Sequence, residues 1–256
     1  MSIRLTILGK SPSWQDRDGA CSGYLARLGE FRLLIDCGSG VFAKLRVHDA
    51  YELVDTVVLT HLHADHMMDL APFAYALTYG PKLREGRPAL YGPPGTGRVL
   101  RQVCGAWEDA TLIENAFELH EYDPQAELAI GDARLRFRPV PHYIPSNAIE
   151  LRESGSSRRL VLSADCGPND EIVDFARGAD LLLIESTRVG GADDRDGEPG
   201  HLTAAQAGEI ARRAGVARVV LTHFSDQLDR DELRRHAEAA FGGPVELAAE
   251  GVTYEL

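Results

Sequence analysis

The segment at residues 61–66 carries three imidazoles and one carboxylate within six positions. It reads His-Leu-His-Ala-Asp-His and follows directly on an apolar run at 57–60. His61 and His63 stand two positions apart in an extended chain, so they project to the same side. The turn that follows can bring Asp65 and His66 back beside them. Because neutral imidazole and carboxylate are ligands of zinc and similar divalent cations, the segment predicts a metal site with room for two ions.

Further candidate ligands stand singly at the ends of predicted strands. His142, Asp165 and His223 each follow an apolar run, at 133–138, 160–164 and 219–222. Strand ends that lead into short loops are where a rigid scaffold presents functional groups. Six of the nine histidines occupy such places: 61, 63, 66, 142, 201 and 223. We assign no role to the other three, at 48, 120 and 236.

The pattern of apolar residues predicts an α/β chain. Strands are expected at 3–8, 23–28, 31–36, 55–60, 88–91, 133–140, 147–151, 159–163, 180–184, 217–222 and 244–247. Helices are expected at 67–79, 98–110, 170–177, 204–214 and 230–240, and Thr203 and Asp229 are typical N-caps. Such a sequence favours a layered sandwich with helices outside two packed sheets.

A Gly- and Asp-rich stretch at 190–200 is expected to be a loop. Two short echoes, Asp-Cys-Gly and Leu-Thr-His, occur once in each half and suggest pseudo-symmetry.

The motifs and their order resemble the metallo-β-lactamase superfamily, in the branch that contains RNase Z and related phosphodiesterases. The resemblance covers nearly the whole chain. The matching stretches are Leu34-Ile35-Asp36-Cys37-Gly38, residues 60–66, His142, Ser163-Ala164-Asp165, Leu221-Thr222-His223, and the loop pair Glu185-Ser186-Thr187 with Gly200-His201-Leu202-Thr203. The resemblance implies a four-layer αββα sandwich formed by a single domain over 1–256.

The resemblance also implies a dinuclear metal site and a division of its ligands. One ion would be held by His61, His63 and His142. The other would be held by Asp65, His66 and His223, with Asp165 as the bridge. The expected cofactors are two divalent metal ions, zinc in the first place, with manganese as the alternative. Two-metal sites of this kind stabilise both the attacking and the leaving oxygen of an in-line displacement at phosphorus.

Three carboxylates and one histidine receive further roles from the resemblance. Asp65 would also accept a hydrogen bond from the attacking water. His201 would approach the leaving group, as a general acid or as a charge stabiliser. Glu185 could orient His201, although a salt-bridged loop carboxylate is an equally good interpretation. Asp36 could anchor the ligand loop, or it could serve only as a turn former before Cys-Gly.

Net charge bears on the substrate. The chain has 27 basic and 39 acidic residues, which gives a formal charge of −12, and we find no Lys/Arg cluster that would follow a phosphate backbone. RNase Z proteins that process tRNA carry a long flexible arm, in many of them between the third and fourth motifs. Here only 22 residues separate His142 from Asp165. We therefore expect a small anionic substrate and no stable nucleic-acid binding, and we disfavour tRNA 3′-processing.

The remaining composition favours a cytoplasmic protein. No apolar run approaches the length of a membrane span, and residues 1–6 are expected to be a strand rather than a signal peptide. The four cysteines show no Cys-x-x-Cys spacing and suit reduced thiols. No membrane partner is expected. A homodimer is the expectation that the family resemblance supplies.

One glycine-rich segment imitates a nucleotide-binding motif. Residues 92–97 read Gly-Pro-Pro-Gly-Thr-Gly and lie between a predicted strand and a predicted helix, as a P-loop would. The next residues are Arg98 and Val99, so the phosphate-binding lysine and the magnesium-binding hydroxyl are both missing. We interpret the segment as a Pro/Gly turn before a helix.

Several functions are compatible with these residues. The leading hypothesis is a phosphodiesterase acting on a small nucleotide or cyclic nucleotide. The alternative is a hydrolase acting at carbon, such as a lactonase, a thioesterase or a glyoxalase II-like enzyme. A redox-linked protein of the flavodiiron type is disfavoured, because it would usually have glutamate where this chain has His63. True β-lactamase activity is also disfavoured, because those enzymes do not bridge their metals with an aspartate at the position of Asp165.

Overall fold

The computed structural model describes residues 3–82, 84–188 and 200–256. Its strands are β1 Ile3–Gly9, β2 Gly23–Leu28, β3 Phe31–Ile35, β4 Thr56–Val58, β5 Ala89–Gly92, β6 Glu118–Glu121, β7 Leu128–Ile130, β8 Ala133–Val140, β9 Ser146–Glu153, β10 Leu160–Leu162, β11 Leu181–Glu185, β12 Val219–Thr222, β13 Glu246–Leu247 and β14 Thr253–Glu255. Its helices are α1 Val41–His48, α2 Ala64–Met67, α3 Leu70–Tyr79, α4 Thr96–Gly105, α5 Leu112–Ala116, α6 Asp170–Phe175, α7 Ala204–Ala214 and α8 Arg230–Phe241.

The strands form two sheets of seven with the same internal pattern. Their orders are β14-β1-β2-β3-β4-β5-β6 and β7-β8-β9-β10-β11-β12-β13. In each sheet the first four strands pair antiparallel and the last four pair parallel. Strand β3 is therefore equivalent to β10, and the Asp-Cys-Gly echo after these two strands follows the symmetry. The Leu-Thr-His echo lies at the ends of β4 and β12, which occupy different places in their sheets, so it does not follow the symmetry.

Three layers of apolar side chains hold four layers of backbone together. One cluster lies between the sheets and includes Leu33 and Ile35 of β3 with Leu160 and Leu162 of β10. The side chains between these alternate positions point outward, toward α1, α3, α4 and α5 on one sheet and α6, α7 and α8 on the other. Both faces of these strands are buried, as expected for parallel strands covered by helices. The predicted αββα sandwich is confirmed.

The sequence predicted the long buried elements and missed the short or polar ones. All eleven predicted strands and all five predicted helices are present, with ends displaced by a few residues. Missing from the prediction were β6, β7, β14, α1, α2 and α5. The predicted loop at 190–200 lies outside the described residues apart from Gly200. Among the described residues, no helix is long and apolar enough to cross a membrane.

The P-loop look-alike is filled by the protein itself. The backbone N–H groups of Gly95 and Gly97, at the start of α4, each donate to the Glu121 carboxylate at 3.0 Å. A helix N-terminus attracts an anion through these orphan donors. Here the anion is a side chain at the end of the neighbouring strand β6, so the segment is a capped turn, as its sequence indicates.

Candidate metal centre

The predicted site residues converge where the carboxyl ends of both sheets meet. The loop after β4 carries the hexapeptide, and the turn between β8 and β9 carries His142. Glu185 is the last residue of β11, and Asp165 and His223 follow shortly after the ends of β10 and β12. Parallel neighbours present their ends at one edge, which explains how residues far apart in sequence come within reach of each other.

Three residues beside the site hold left-handed backbone conformations without being glycine. Asp36, Ala164 and His223 have φ values of 57°, 54° and 55°. Each stands just beyond a strand end, where the chain must turn sharply to aim a side chain into the site. Such conformations cost of order 1–3 kcal/mol each and cluster at functional sites. The surrounding packing and hydrogen bonds must therefore compensate for this strain.

The first cluster brings together three imidazole nitrogens. His63 Nδ1 lies 3.2 Å from His61 Nε2 and 3.1 Å from His142 Nε2. The second nitrogens of His61 and His142 are engaged elsewhere, by Thr60 Oγ1 at 3.0 Å and by the Gly200 carbonyl oxygen at 2.8 Å. At most one proton can therefore be shared among the three converging atoms. Their spacing is close to the ~3.3 Å edge of a tetrahedron with zinc–nitrogen bonds of about 2.0–2.1 Å.

The second cluster contains two carboxylates and two imidazoles. His223 Nε2 lies 3.3 Å from Asp65 Oδ2 and 3.2 Å from Asp165 Oδ2. His66 Nε2 lies 3.3 Å from the same Asp165 oxygen. That oxygen is also 3.8 Å from His61 Nε2 and so faces both clusters. The structure thus places Asp165 where a bridging ligand would lie.

Hydrogen bonds behind the ligands fix which ring nitrogen faces the centre. Asp36 Oδ2 accepts from His66 Nδ1 and from the Thr60 hydroxyl, each at 2.8 Å. Thr60 in turn accepts from His61 Nδ1, so one buried carboxylate orients two rings. Partners of this kind hold the tautomer and the orientation of metal-binding histidines. Asp36 thus has the position expected of an anchor for the ligand loop.

An equivalent relay stands on the other side of the site. His223 Nδ1 lies 2.8 Å from Thr187 Oγ1, and this hydroxyl lies 2.8 Å from Glu185 Oε2. The arrangement lets the ring N–H donate to the hydroxyl and the hydroxyl donate to the carboxylate. Carboxylate, threonine and histidine therefore follow one another in the same order as Asp36, Thr60 and His61.

Glu185 also holds His201. Its Oε1 accepts from His201 Nδ1 at 2.9 Å and from the Cys166 backbone N–H at 2.8 Å, while the Leu202 N–H donates to Oε2 at 3.1 Å. Glu185, His201 and His223 lie close enough together to suggest a further metal site. The carboxylate is only 1% exposed and its oxygens are already engaged, so we assign it to positioning rather than to ligation.

The electrostatics of the centre favour neutral imidazoles around an ionised carboxylate. Burial lowers the pKa of His61, well below its usual value, and also that of His63 and His142. Burial would raise the pKa of Asp165, but the neighbouring His223 and His66 outweigh it and hold that pKa well below the usual range. Neutral imidazole and charged carboxylate are the forms that bind a cation.

His66 and His201 behave differently because carboxylates face their rings. Burial would lower the pKa of His66, yet Asp165 and Asp36 raise it well above its usual value. The hydrogen bond to Glu185 likewise outweighs burial and raises the pKa of His201. A proton on His66 supplies positive charge between two carboxylates, as a metal ion would. A cation that binds there would displace this proton.

The donor set fits divalent cations. Within the described part of the chain, His66 Nε2 is buried without a hydrogen-bond partner and faces Asp165. The lone pairs of the first cluster also point at each other with too few protons to pair them. Two groups of four residues, sharing Asp165, can each surround an ion: His61, His63, His142, Asp165 and Asp65, His66, Asp165, His223. Nitrogen and carboxylate oxygen are what zinc takes.

Sequence reasoning missed the two threonine hydroxyls. Thr60 stood within a quoted motif and Thr187 within another, but neither received a role. A hydroxyl carries no charge and coordinates nothing here, so residue type alone gives a weak signal. The usable signal was position, because each threonine adjoins a strand end beside a candidate ligand or its carboxylate.

Comparison with known proteins agrees with this architecture. Residues 31–224 match the family model described as beta-lactamase superfamily domain. The chain is 30% identical to a probable metallo-hydrolase, YhfI of Bacillus subtilis, over 99% of this chain and all of that protein. It is also 30% identical to a ribonuclease Z of Myxococcus xanthus, over 99% of this chain and 98% of that protein.

Solved structures share the fold. The crystal structure of YhfI matches over the full length of both chains, with a TM-score of 0.88 and 29% identity. Human tRNase Z, short form, matches over 98% of each chain with a TM-score of 0.76 and 21% identity, which is a likeness of fold alone. The chain belongs to the β-lactamase superfamily, and within it to the metallo-hydrolases.

Replacing Thr187 tests the hydrogen-bond relay. In Thr187→Val the shape is kept, but His223 Nδ1 and Glu185 lose their shared partner. We expect affinity for divalent metal to fall about 10–100-fold, the usual effect of removing an outer partner of a ligand. Titration of the metal-free protein against a chelating indicator measures this. Thr187→Ser keeps the hydroxyl and should bind metal nearly as wild type, and equal affinity for all three proteins would contradict the relay.

Proposed function

We propose that this protein is a dinuclear metal-dependent phosphodiesterase whose substrate is a small nucleotide or cyclic nucleotide. The observation that carries the proposal is the placement of the Glu185–His201 pair beside the two ligand clusters. The ring of His201 lies 5.0 Å from that of His142 and 5.5 Å from that of His223, measured between centroids. A proton donor at this place suits an alkoxide leaving group, which cannot depart without neutralisation.

Zinc is the cation we assign to the centre, with manganese as the alternative. The residues that would hold one ion are His61, His63 and His142; those that would hold the other are Asp65, His66 and His223, with Asp165 shared. Two such ions would supply positive charge to both the attacking and the leaving oxygen at phosphorus and would activate water near neutral pH.

The protein groups then divide the remaining tasks. Asp65, which is buried and contacts His223, would accept a hydrogen bond from the attacking water. His201 faces the leaving group, because Glu185 engages its Nδ1 and the other ring nitrogen remains for the substrate. The raised pKa of His201 favours its protonated form, which is the form a general acid needs.

The shape of the chain between the third and fourth motifs supports a small substrate. Residues 141–165 are all described, and they form a turn, strand β9, a further turn and strand β10. No arm projects from this stretch. Together with a net charge of −12, this leaves a long polyanion with little to bind outside the metal centre.

Two other activities remain as second candidates, each with its own support. Processing of tRNA 3′ ends is supported by a relative, since a protein 30% identical to this chain over nearly its whole length is named ribonuclease Z. Hydrolysis at carbon rests on the ligand set, which would activate water toward a lactone or thioester equally well. Neither alternative accounts for the acidic surface and the Glu185–His201 pair together.

A panel of substrates separates these possibilities. We expect the zinc- or manganese-loaded protein to hydrolyse bis-p-nitrophenyl phosphate and 3′,5′-cyclic AMP, with lower kcat/KM for a precursor tRNA, a lactone and a thioester. Initial rates at matched metal loading provide the measurement. Preference for the lactone or thioester would indicate hydrolysis at carbon rather than at phosphorus. Preference for precursor tRNA would indicate tRNA 3′-processing.

Metal content tests the bridge. We expect about two divalent ions per chain in the wild type, because seven donors are too many for one tetrahedral site. Asp165→Ala should lose the paired site and nearly all activity, since one ion cannot stabilise both oxygens. Plasma mass spectrometry counts the ions, and His48→Ala, an exposed histidine outside the site, is the control. Wild-type rate with a single ion bound would refute the bridging role.

Replacement of His201 tests the leaving-group role. His201→Ala should keep both ions and lower kcat by roughly 10²–10⁴ for a diester with an alkoxide leaving group. The loss should shrink for p-nitrophenolate, which departs without a proton. Rates across a series of leaving groups, with metal content measured in parallel, give the answer. A uniform loss for all leaving groups at intact metal content would remove His201 from proton transfer.

A further inference from the structure

An exposed aromatic ring stands at the rim of the candidate metal centre. Tyr143 is 68% exposed, although the side chain of the preceding residue, His142, is fully buried in the site. The ring centroid of Tyr143 lies 5.0 Å from that of His142 and 5.8 Å from that of His201. The two neighbouring rings are in contact, the His142 ring buried in the ligand cluster and the Tyr143 ring covering it from the solvent side.

The backbone that carries this ring is held firmly. Residues 141–145 form the turn of the β8–β9 hairpin, and the strands pair directly at Val140 and Ser146. Prolines at 141 and 145 fix φ at both ends of the turn. The Pro141 carbonyl oxygen accepts from the Gly167 N–H at 2.8 Å, which ties the turn to the loop after Asp165. The backbone of the turn therefore keeps its place relative to the metal ligands.

Gly200 provides the surface against which the ring packs. A Cβ at this position would lie 2.3 Å from Cζ of Tyr143, so no larger residue fits without moving the ring. The φ of Gly200 is outside the left-handed region, which means that space rather than conformation requires glycine. Its carbonyl oxygen also accepts from His142 Nδ1. One backbone segment therefore orients a ligand and fixes one side of the tyrosine, while the rest of the ring stays exposed.

A fixed, exposed ring beside a phosphoryl-binding centre suits a flat, uncharged group. Aromatic side chains stack on nucleobases of any type, because every base has a π-face. The acidic chain offers little electrostatic attraction beyond the cations, so contacts to the uncharged part of a substrate carry more weight. We propose that Tyr143 is the base-binding surface of the site and stacks on the nucleobase of a substrate whose phosphodiester lies at the metal centre. The inference rests on the phosphodiesterase function proposed above.

The test compares substrates with and without a base. Michaelis parameters are measured for 3′,5′-cyclic AMP and for the cyclic phosphodiester of propane-1,3-diol, which has the same six-membered reactive ring. Tyr143→Ala should raise KM for cyclic AMP about 5- to 150-fold and leave kcat within about twofold, as expected for the loss of one stacking contact. KM for the base-free diester should not change. Tyr143→Phe should resemble the wild type, because stacking uses the ring and not the hydroxyl.

Matched controls separate stacking from general effects. Tyr79→Ala removes a tyrosine that is 74% exposed at the last residue of α3, and it should leave both KM values unchanged. An equal rise of KM for both diesters in Tyr143→Ala would overturn the inference, since the ring would then act on the metal centre itself. Unchanged KM for cyclic AMP would overturn it as well.

Failure of the proposed function gives a different result. If the wild type hydrolyses neither diester, the phosphodiesterase proposal fails, and the subsite is decided by calorimetric titration of the metal-loaded protein with AMP. Weaker AMP binding by Tyr143→Ala than by Tyr143→Phe would sustain a base-binding ring. Equal affinity for both variants, or no binding by the wild type, would refute it.

Discussion

Donor atoms that share a small buried volume repel one another unless positive charge lies between them, and this constraint governs the structure. Seven side chains direct lone pairs or negative charge to one place at the ends of the two sheets. Three neutral imidazoles meet at 3.1–3.2 Å with too few protons to pair them. Nothing in the hydrophobic layers compensates for this arrangement, because burying unpaired polar groups is costly. A cation resolves the repulsion, and the loops are arranged so that it can.

Positioning these donors depends on the internal repetition of the fold. Each seven-stranded sheet has an antiparallel half and a parallel half, so two sets of strand ends face each other across the site. Both sets use the same device, in which a buried carboxylate orients a histidine through a threonine hydroxyl: Asp36 through Thr60, and Glu185 through Thr187. The halves differ in what the carboxylate reaches next. Asp36 holds a second candidate ligand, His66, whereas Glu185 holds His201. Under the proposed function, the same geometry would serve metal binding on one side and proton transfer on the other.

Much of the fold and the donor set could be predicted because both depend on local pattern. Ligand-type residues directly after apolar runs are visible in the sequence, and long buried strands show their periodicity. Helix α1 gave no start signal, since it begins after Gly40 in a left-handed conformation without a side-chain cap. Strand β6 is a polar sheet edge, so its residues lack the apolar content that marks a strand. The contact of Thr187 with His223 spans 36 residues and joins two strand ends, which only the topology brings together.

The chain has a net negative charge, whereas a metal-loaded site has positive charge, and this difference affects which substrates the protein can select. An acidic surface repels polyanions at long range, and salt weakens that repulsion without reversing it. A small anion that reaches the centre meets compact positive charge held by buried ligands, so its binding does not depend on surface lysines or arginines. If the substrates are the small phosphodiesters proposed above, discrimination among them must come from uncharged contacts at the rim. The turn at 141–145 is suited to this because the same five residues carry a buried donor and an exposed ring. On the inference drawn for Tyr143, a change at the exposed position would alter substrate preference while leaving the ligands behind it in place.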